Sequence, residues 1–372
     1  MSVFFSCADR NPPLEPQPAE SEGDAMKTTE PGESTSKSDP EKKPNMKTTV
    51  RLNSQTEGVK PLGVRALESS SQLNADWTCS GLEFVYDQKG GDLVFRVSAS
   101  HPCYFRVYVD EAAWSENGNP YYRINGTQDM TIKDIPEGVH TVRVVKATGH
   151  TLARAHFYSM SFYGTLLKEQ KPEDRELYIE FIGDSISCGW GVIGERKGAY
   201  SDQDGTLAYP YLVAQAMNAD YSVTALSGQG LLMGEPGMTK GYLYSSPLRD
   251  STAKYSFARK ADIVVINIGT NDYAYRSQYG ITEEALKEAY LRFVQAVIQK
   301  NGEDCKIYCL YNTMNDTFAN AILEACRQLG GEEAGIFTLR MDRSYGNEHP
   351  SIAEHQVYAQ KLVSYLKEKQ NF

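Results

Sequence analysis

A serine becomes a nucleophile only with a base, an oxyanion cage and a pocket around it. Four short blocks of this 372-residue chain offer those parts in order. The run Tyr178-Ile-Glu-Phe-Ile-Gly-Asp-Ser-Ile-Ser187 is apolar until Gly183-Asp184-Ser185, and the glycine-rich Cys188-Gly-Trp-Gly191 follows at once. A buried strand ending there puts the Ser185 hydroxyl at the C-terminal end of a parallel strand, where open α/β sheets bind ligands. Ala225-Leu-Ser-Gly-Gln-Gly230 closes a second apolar run, and Gly228 can turn its N–H toward a ligand. Ile263-Val-Val-Ile-Asn-Ile-Gly-Thr-Asn-Asp272 is a third run with polar groups at its end. The Asn271 amide there offers two donors to a developing oxyanion, with the Ser185 N–H as a third member of the hole. Asn347-Glu-His-Pro-Ser351 presents His349 in a loop just before an amphipathic helix, a natural place for a general base.

Gly-Asp-Ser by itself is a weak signal, because a serine after a buried strand is ordinarily a cap. All four blocks in order, each at a strand end or loop, make a strong one. They resemble the SGNH (GDSL-type) hydrolases, whose named Ser, Gly, Asn and His match Ser185, Gly228, Asn271 and His349 over about residues 177–370. The G-x-S-x-G elbow of the α/β-hydrolases is absent around Ser185. The resemblance implies an acid two or three residues before the histidine, but Asn347 and Gly346 stand there. Asp342, seven residues upstream, is a candidate orienting acid. A backbone carbonyl or the Asn347 side-chain oxygen would also hold the imidazole tautomer. The expectation is a Ser185–His349 dyad with the third member open.

The neighbours of these residues take quieter readings. Asp184 ties down the turn, Asp272 stabilises its loop, and His355 packs or faces solvent. Cys188 has poorer partners than the adjacent serine. Trp190 either packs the turn or walls the pocket. Tyr209, Tyr273 and Tyr275 are candidates to line the cleft and bind substrate.

The elements that must position these groups alternate. Strands are predicted near 177–182, 221–226, 262–268 and 305–311, and helices near 207–218, 283–300, 316–329 and 352–367. Such βαβ units give a parallel sheet with helices on both faces. Thr282 precedes Ala285, Leu286, Ala289, Tyr290, Phe293, Ala296 and Val297 at helical spacing, as an N-cap before two glutamates. Residues 50–162 read differently: short alternating strands near 82–86, 93–97, 104–109, 130–135, 139–145 and 155–162, parted by turn signals. Strands without intervening helices predict a β-sandwich.

The fold class is therefore α/β, an SGNH-type parallel sheet at 170–372 behind an all-β, jelly-roll-like domain at 50–165. A β-rich front ahead of such a domain resembles carbohydrate esterase family 2, whose front strands Trp77-Thr-Cys-Ser-Gly-Leu-Glu-Phe84, Val107-Tyr-Val-Asp110 and Val142-Arg-Val-Val-Lys146 are similar to. The resemblance implies a serine esterase that removes O-acetyl groups from plant polysaccharides or oligosaccharides. It also implies that the acidic triad member can be missing. The alternatives are a different small ester or lipid on the same machinery, and a carbohydrate-binding module with weakened chemistry. The polar stretch Gly194 to Asp204 favours a small acyl group.

Bulk properties bound the partners. A formal net charge of −10 leaves no electrostatic footprint for nucleic acid. No run reaches the length of a membrane-spanning helix. The seven cysteines show neither metal spacing nor a disulfide framework, and no phosphate cradle occurs, so neither metal nor cofactor is expected. The 24 tyrosines mostly suit sheet surface and core. Residues 1–49 read as a signal remnant and disordered tether, rich in Pro, Glu, Ser, Thr and Lys. Cys7 is a candidate lipid-anchor site, with the true start upstream. The expected location is outside the cell, as a surface lipoprotein or a secreted protein.

Overall fold

The structure is a computed structural model that describes residues 47–65, 68–194, 202–234, 237–342 and 348–370. Of the expected tether, residues 1–46, Cys7 among them, lie outside the described residues, whereas Lys47, Thr48 and Thr49 belong to the first strand and pair with Tyr163, Phe162 and Ser161.

The first half is all strand: β1 (Lys47–Arg51), β2 (Val59–Leu62), β3 (Leu73–Ala75), β4 (Gly81–Gln88), β5 (Leu93–Val109), β6 (Ala112–Trp114), β7 (Tyr122–Ile132), β8 (Gly138–Lys146) and β9 (Ala155–Leu166). All pairings are antiparallel, in the order β1-β9-β4-β8-β5-β6, with β2 on β4, β3 on β9, and β7 on β5. A further β9–β5 pairing joins strands that are distant in that order. The two strands expected at 93–97 and 104–109 are one long strand, with its register shift against β7 between Ala99 and Cys103. Pro102 falls at that irregularity, which is where a strand tolerates a missing donor. Burial alternates along β5 on either side of residues 100–102 and, less regularly, along β9, so Phe95, Phe105, Phe157 and Phe162 join Phe84 of β4 in one core.

The second half alternates. It runs β10 (Tyr178–Gly183), α1 (Tyr209–Ala216), β11 (Asp220–Ala225), α2 (Gly237–Gly241), then a short hairpin, β12 (Tyr244–Ser246) and β13 (Asp250–Lys254). After it come β14 (Ile263–Asn267), α3 (Thr270–Ala274), α4 (Arg276–Tyr279), α5 (Glu283–Asn301), β15 (Lys306–Tyr311), α6 (Ala319–Gln328), β16 (Ile336–Arg340) and α7 (Ile352–Gln370). The five long strands form one parallel sheet in the order β11-β10-β14-β15-β16. Because side chains alternate along a strand, Ile182, Val264, Ile266 and Ile307 pack with α5 and α6. Their neighbours Ile179, Phe181, Val265 and Leu310 pack on the other face with α1 and α7. Thr282 caps α5 by accepting the Ala285 N–H at 3.1 Å.

The β-rich region is seated on the α/β region by polar bonds as well as core. Thr78 bridges Val223, the Val64 N–H reaches Tyr221 O at 3.0 Å, and the Tyr221 hydroxyl donates to Cys79 O at 2.8 Å. The Trp77 indole donates to Ser245 O at 2.6 Å. Asp76, buried, takes Arg249 through both oxygens. A buried Arg65–Glu180 pair, with the guanidinium over the rings of Tyr242, Tyr255 and Phe257, closes the contact. Leu62, Cys79 and Val145 share a core with the strands of the parallel sheet.

Candidate active site

The strand order has a switch point. From β10 the chain moves to β11 on one side, then crosses to β14 on the other, so the connections diverge at the C-terminal ends of β10 and β14. Open α/β sheets bind ligands at such a switch point. Gly183 pairs with Asn267 in the last rung, so Ser185 and Asn271 leave the sheet side by side.

Ser185 is 7% exposed. Its Oγ lies 2.7 Å from His349 Nε2, across 164 residues of sequence. That is hydrogen-bonding reach for a base that takes the serine proton. A capping box holds the segment carrying His349. Ser351 Oγ donates to Glu354 at 2.6 Å, the Ser351 N–H donates to the same carboxylate at 2.7 Å, and Glu354 N–H closes the box at 3.4 Å. The box anchors the start of α7 two residues after the imidazole.

The candidate oxyanion groups interlock. Asn271 Nδ2 donates to Gln229 O at 2.9 Å and to Asp184 Oδ2 at 3.2 Å. The Gln229 carbonyl sets the amide orientation, since a flipped amide would oppose two oxygens. Gln229 follows Gly228, whose φ of 77° is a left-handed conformation and whose Cβ position faces open space. Asp272 accepts the N–H groups of Leu231 at 3.0 Å and Leu232 at 2.8 Å, which pins the same loop. Gly230 has to be glycine, because a Cβ there would strike the Asp272 carboxylate. Asp184 also accepts the Ile186 N–H at 3.0 Å and is fully buried. Burial drives its pKa up to about 7, against the backbone hydrogen bond and with help from Asp272. Burial raises Asp272 as well, opposed by its N–H donors.

The remaining expected residues scatter. Tyr209 does not line a cleft: it is fully buried, its hydroxyl pairs with Ser187 at 2.9 Å, and its ring stacks on His355. The apolar face of α1 takes it inward. His355 is a core histidine that accepts the Tyr209 N–H, and burial lowers it to about 3. Trp190 is half-buried, its ring centroid 6.4 Å from that of His349. Tyr273 gives its hydroxyl to Asp316 at 3.1 Å and lies under Arg276, while Tyr275 is exposed. Asp342 is displaced from the orienting role by a surface ion pair. Its side chain is 75% exposed and takes Lys361 at 3.0 Å, and it makes no hydrogen bond to His349. Asn347, the neutral acceptor offered by the sequence, lies outside the described residues. Cys188 is buried, which pushes its thiol up to about 12.

One support was not signalled by the sequence. Asp204, fully buried beside the serine turn, accepts Tyr121 OH at 2.9 Å and lies 3.4 Å from Arg106, both in the β-rich region. Its own Thr206 caps the same carboxylate at 2.6 Å. The Asp204 N–H in turn reaches Gly189 O at 3.2 Å. Nothing in local spacing links residue 121 to residue 204, so only the fold reveals the contact.

Residues 181–350 match the GDSL-like Lipase/Acylhydrolase family. The chain is 29% identical over 317 residues to the cellulase/esterase CelE of Acetivibrio thermocellus, covering 79% of this chain but only 37% of that protein's length. It is 26% identical over 287 residues to an acetylxylan esterase/glucomannan deacetylase of Cellvibrio japonicus, covering 71% of this chain and 78% of the relative. Among solved structures, a family two carbohydrate esterase from Clostridium thermocellum in complex with cellohexaose superposes with a TM-score of 0.75 at 25% identity, covering 84% of this chain and 99% of the other.

Proposed function

On the premise that residues 181–350 form a GDSL-like lipase/acylhydrolase domain, we propose that the protein is a carboxylic ester hydrolase that removes O-acetyl groups from plant polysaccharides or oligosaccharides. The observation that carries this is the 2.7 Å approach of His349 Nε2 to Ser185 Oγ beside the Asn271 amide. The relatives that match across both halves of the chain add the substrate class, since their names include acetylxylan esterase and glucomannan deacetylase.

His349 Nε2 takes the Ser185 proton as Oγ attacks the acetyl carbonyl. The Ser185 N–H, Gly228 N–H and Asn271 amide receive the negative oxygen. The ester C–O bond breaks, and the imidazolium gives its proton to the departing sugar oxygen. Water, deprotonated by His349, then attacks the acetyl-serine, releasing acetate and returning the proton to Ser185. Trp190, against the imidazole, walls the acetyl pocket. No step calls on a metal or cofactor.

In the same reading residues 50–165 are a jelly-roll-like domain that braces the hydrolase domain of 170–372. The protein works outside the cell, secreted or anchored through a lipid on Cys7; the composition of the tether behind Cys7 supports this. Incorporation of labelled fatty acid that disappears in Cys7→Ala tests the anchor.

The deciding assay is acetate release from acetylated xylan and glucomannan, beside 4-nitrophenyl acetate, by the parent and Ser185→Ala. Release by the parent alone is expected. Unchanged release by Ser185→Ala overturns the mechanism. Cleavage of the small ester without acetate from any polysaccharide shifts the substrate to another ester. Sugar binding with no turnover in the parent makes the protein a binding module.

A further inference from the structure

The Asn271 amide has two protons and three claimants: the Gln229 carbonyl at 2.9 Å, the Asp184 carboxyl at 3.2 Å, and the oxyanion that forms during reaction. Gln229 holds one proton. The second is left between Asp184 and the substrate. We propose that Asp184 is a positioning residue for the oxyanion hole, aiming the second Asn271 proton at the intermediate while neutral and withdrawing it when ionised. This rests on the reading of Ser185 as nucleophile.

Two arguments support the neutral acid. A carboxylate one hydrogen bond from the hole would place like charge beside the developing oxyanion, in a buried site where such repulsion is strong. It would also compete for the Asn271 proton as a charge-assisted acceptor, which is about twice as strong as a neutral one. The surroundings agree. The titratable groups around Asp184 are Asp272 from α3, Tyr209 from α1, Cys188 on its own turn and His349 through Ser185. None is a lysine or arginine, and no ion pair reaches Asp184 among the described residues. Burial lifts its pKa to about 7, so its proton is held or lost in the range where a histidine base operates. Asp272, by contrast, is compensated by N–H groups of the 231–233 segment and holds the loop in place.

The test is the pH dependence of kcat for 4-nitrophenyl acetate in the parent, Asp184→Asn and Asp184→Ala, with melting temperatures measured alongside. The parent should show an acid limb from His349 and a fall in kcat above neutrality. Asp184→Asn should remain within ~10-fold of the parent at pH 6 and lose the alkaline fall. Asp184→Ala should lose ~100-fold in kcat at every pH with KM within ~3-fold, the pattern of a group acting only in the transition state. An alkaline limb unchanged in Asp184→Asn overturns the proposal. So does an Asp184→Ala enzyme with parental kcat. If Asp184→Ala fails to fold, the pH profile of Asp184→Asn still decides. A parent without Ser185-dependent turnover defeats the esterase reading instead, and the two failures are therefore distinct.

Discussion

The Tyr121 hydroxyl donates to the Asp204 carboxylate at 2.9 Å, and the Asp204 N–H reaches Gly189 O at 3.2 Å, which ties the β-rich region to the turn that carries Ser185. Asp204 is fully buried, and burial raises its pKa against the bonds from Thr206, Arg106 and Tyr121. The Gly149 N–H bonds to the Gln203 side chain, and the Gly205 N–H reaches Ala147 O at 2.9 Å. Segment 202–207 is thus laid down by the β-rich region, and Gly189 rests on it. Tyr121→Phe should therefore act at a distance. It leaves a buried acceptor one donor short, which costs about 1–3 kcal/mol. Thermal melts should show that loss, and kcat should fall by several-fold with little change in KM. A variant destabilised as expected but with parental kcat would confine the contact to stability.

In the proposed mechanism Ser185 and His349 act as a unit, so their removal should not be additive. Ser185→Ala, His349→Ala and the double variant should each lose on the order of 10³-fold or more in kcat, with the double no worse than the worse single. Asp342→Ala is the counterpart. Its carboxylate meets Lys361 at the surface, and exposed pairs contribute about 0–1 kcal/mol. Activity within ~2-fold of the parent is expected. A large loss in a folded Asp342→Ala enzyme would restore it as the orienting acid.

Asn271→Ala removes one proposed oxyanion donor and, with it, the link between Asp184 and Gln229. A loss of ~10²–10³-fold in kcat with KM nearly unchanged is expected. Gly228→Ala should fare badly for a different reason. The added methyl meets no neighbour, but the backbone φ of 77° is strained for any residue with a Cβ. Crystals of Gly228→Ala should show the loop shifted at 228–229 rather than a clash.

The parts of the site carried by local pattern were legible in sequence. Each of Ser185, Gly228 and Asn271 follows an apolar run, and the strand and helix periods around them predict a parallel sheet with the right polarity. β16 escaped because Ile336–Arg340 is short and half exposed at the edge, with a weaker apolar run than β14. Tyr209 was misjudged because a tyrosine at the mouth of a helix looks the same in sequence whether it turns out or in. Asp204, Arg106 and Tyr121 were illegible in principle: their spacing carries no period, and only the docking of two sheets brings them together. The Ser351–Glu354 box has the S-x-x-E pattern that could have been read directly.

Two buried histidines give the stability a pH slope. Burial lowers both His150 and His355 to about 3, against 6.5 for the free side chain. Between those values the unfolded chain binds protons that the folded chain refuses. Their contribution to stability is therefore greatest above about pH 6.5 and falls as the pH drops toward 3, by on the order of 1.4 kcal/mol per pH unit for each histidine. Asp184 opposes them. Its raised pKa stabilises the folded state below about 4 and loses that contribution as the pH rises through about 7. Asp204 and Asp272, also raised by burial, oppose the histidines as well, so the histidine share is read by comparing urea melts of the parent and His355→Gln from pH 6 to pH 4. In that variant the stability difference between pH 6 and pH 4 should shift in favour of pH 4 by up to about 1.4 kcal/mol per pH unit, and no shift would mean that His355 protonates in place.

The capping box offers the last separation of stability from catalysis. Ser351 and Glu354 satisfy each other's backbone donors at the start of α7, and loss of such a cap costs roughly 0.5–2 kcal/mol. His349 stands two residues upstream, so a frayed helix start loosens the base. Glu354→Ala should lower the melting temperature by a few degrees and reduce kcat, because Nε2 then spends less time within reach of Ser185 Oγ. Glu354→Gln keeps an acceptor for the Ser351 N–H and should recover most of both. Recovery of stability without recovery of kcat would mean that the charge of Glu354, rather than the cap it forms, matters to His349. The pH profile of Glu354→Gln would show this as a displaced acid limb.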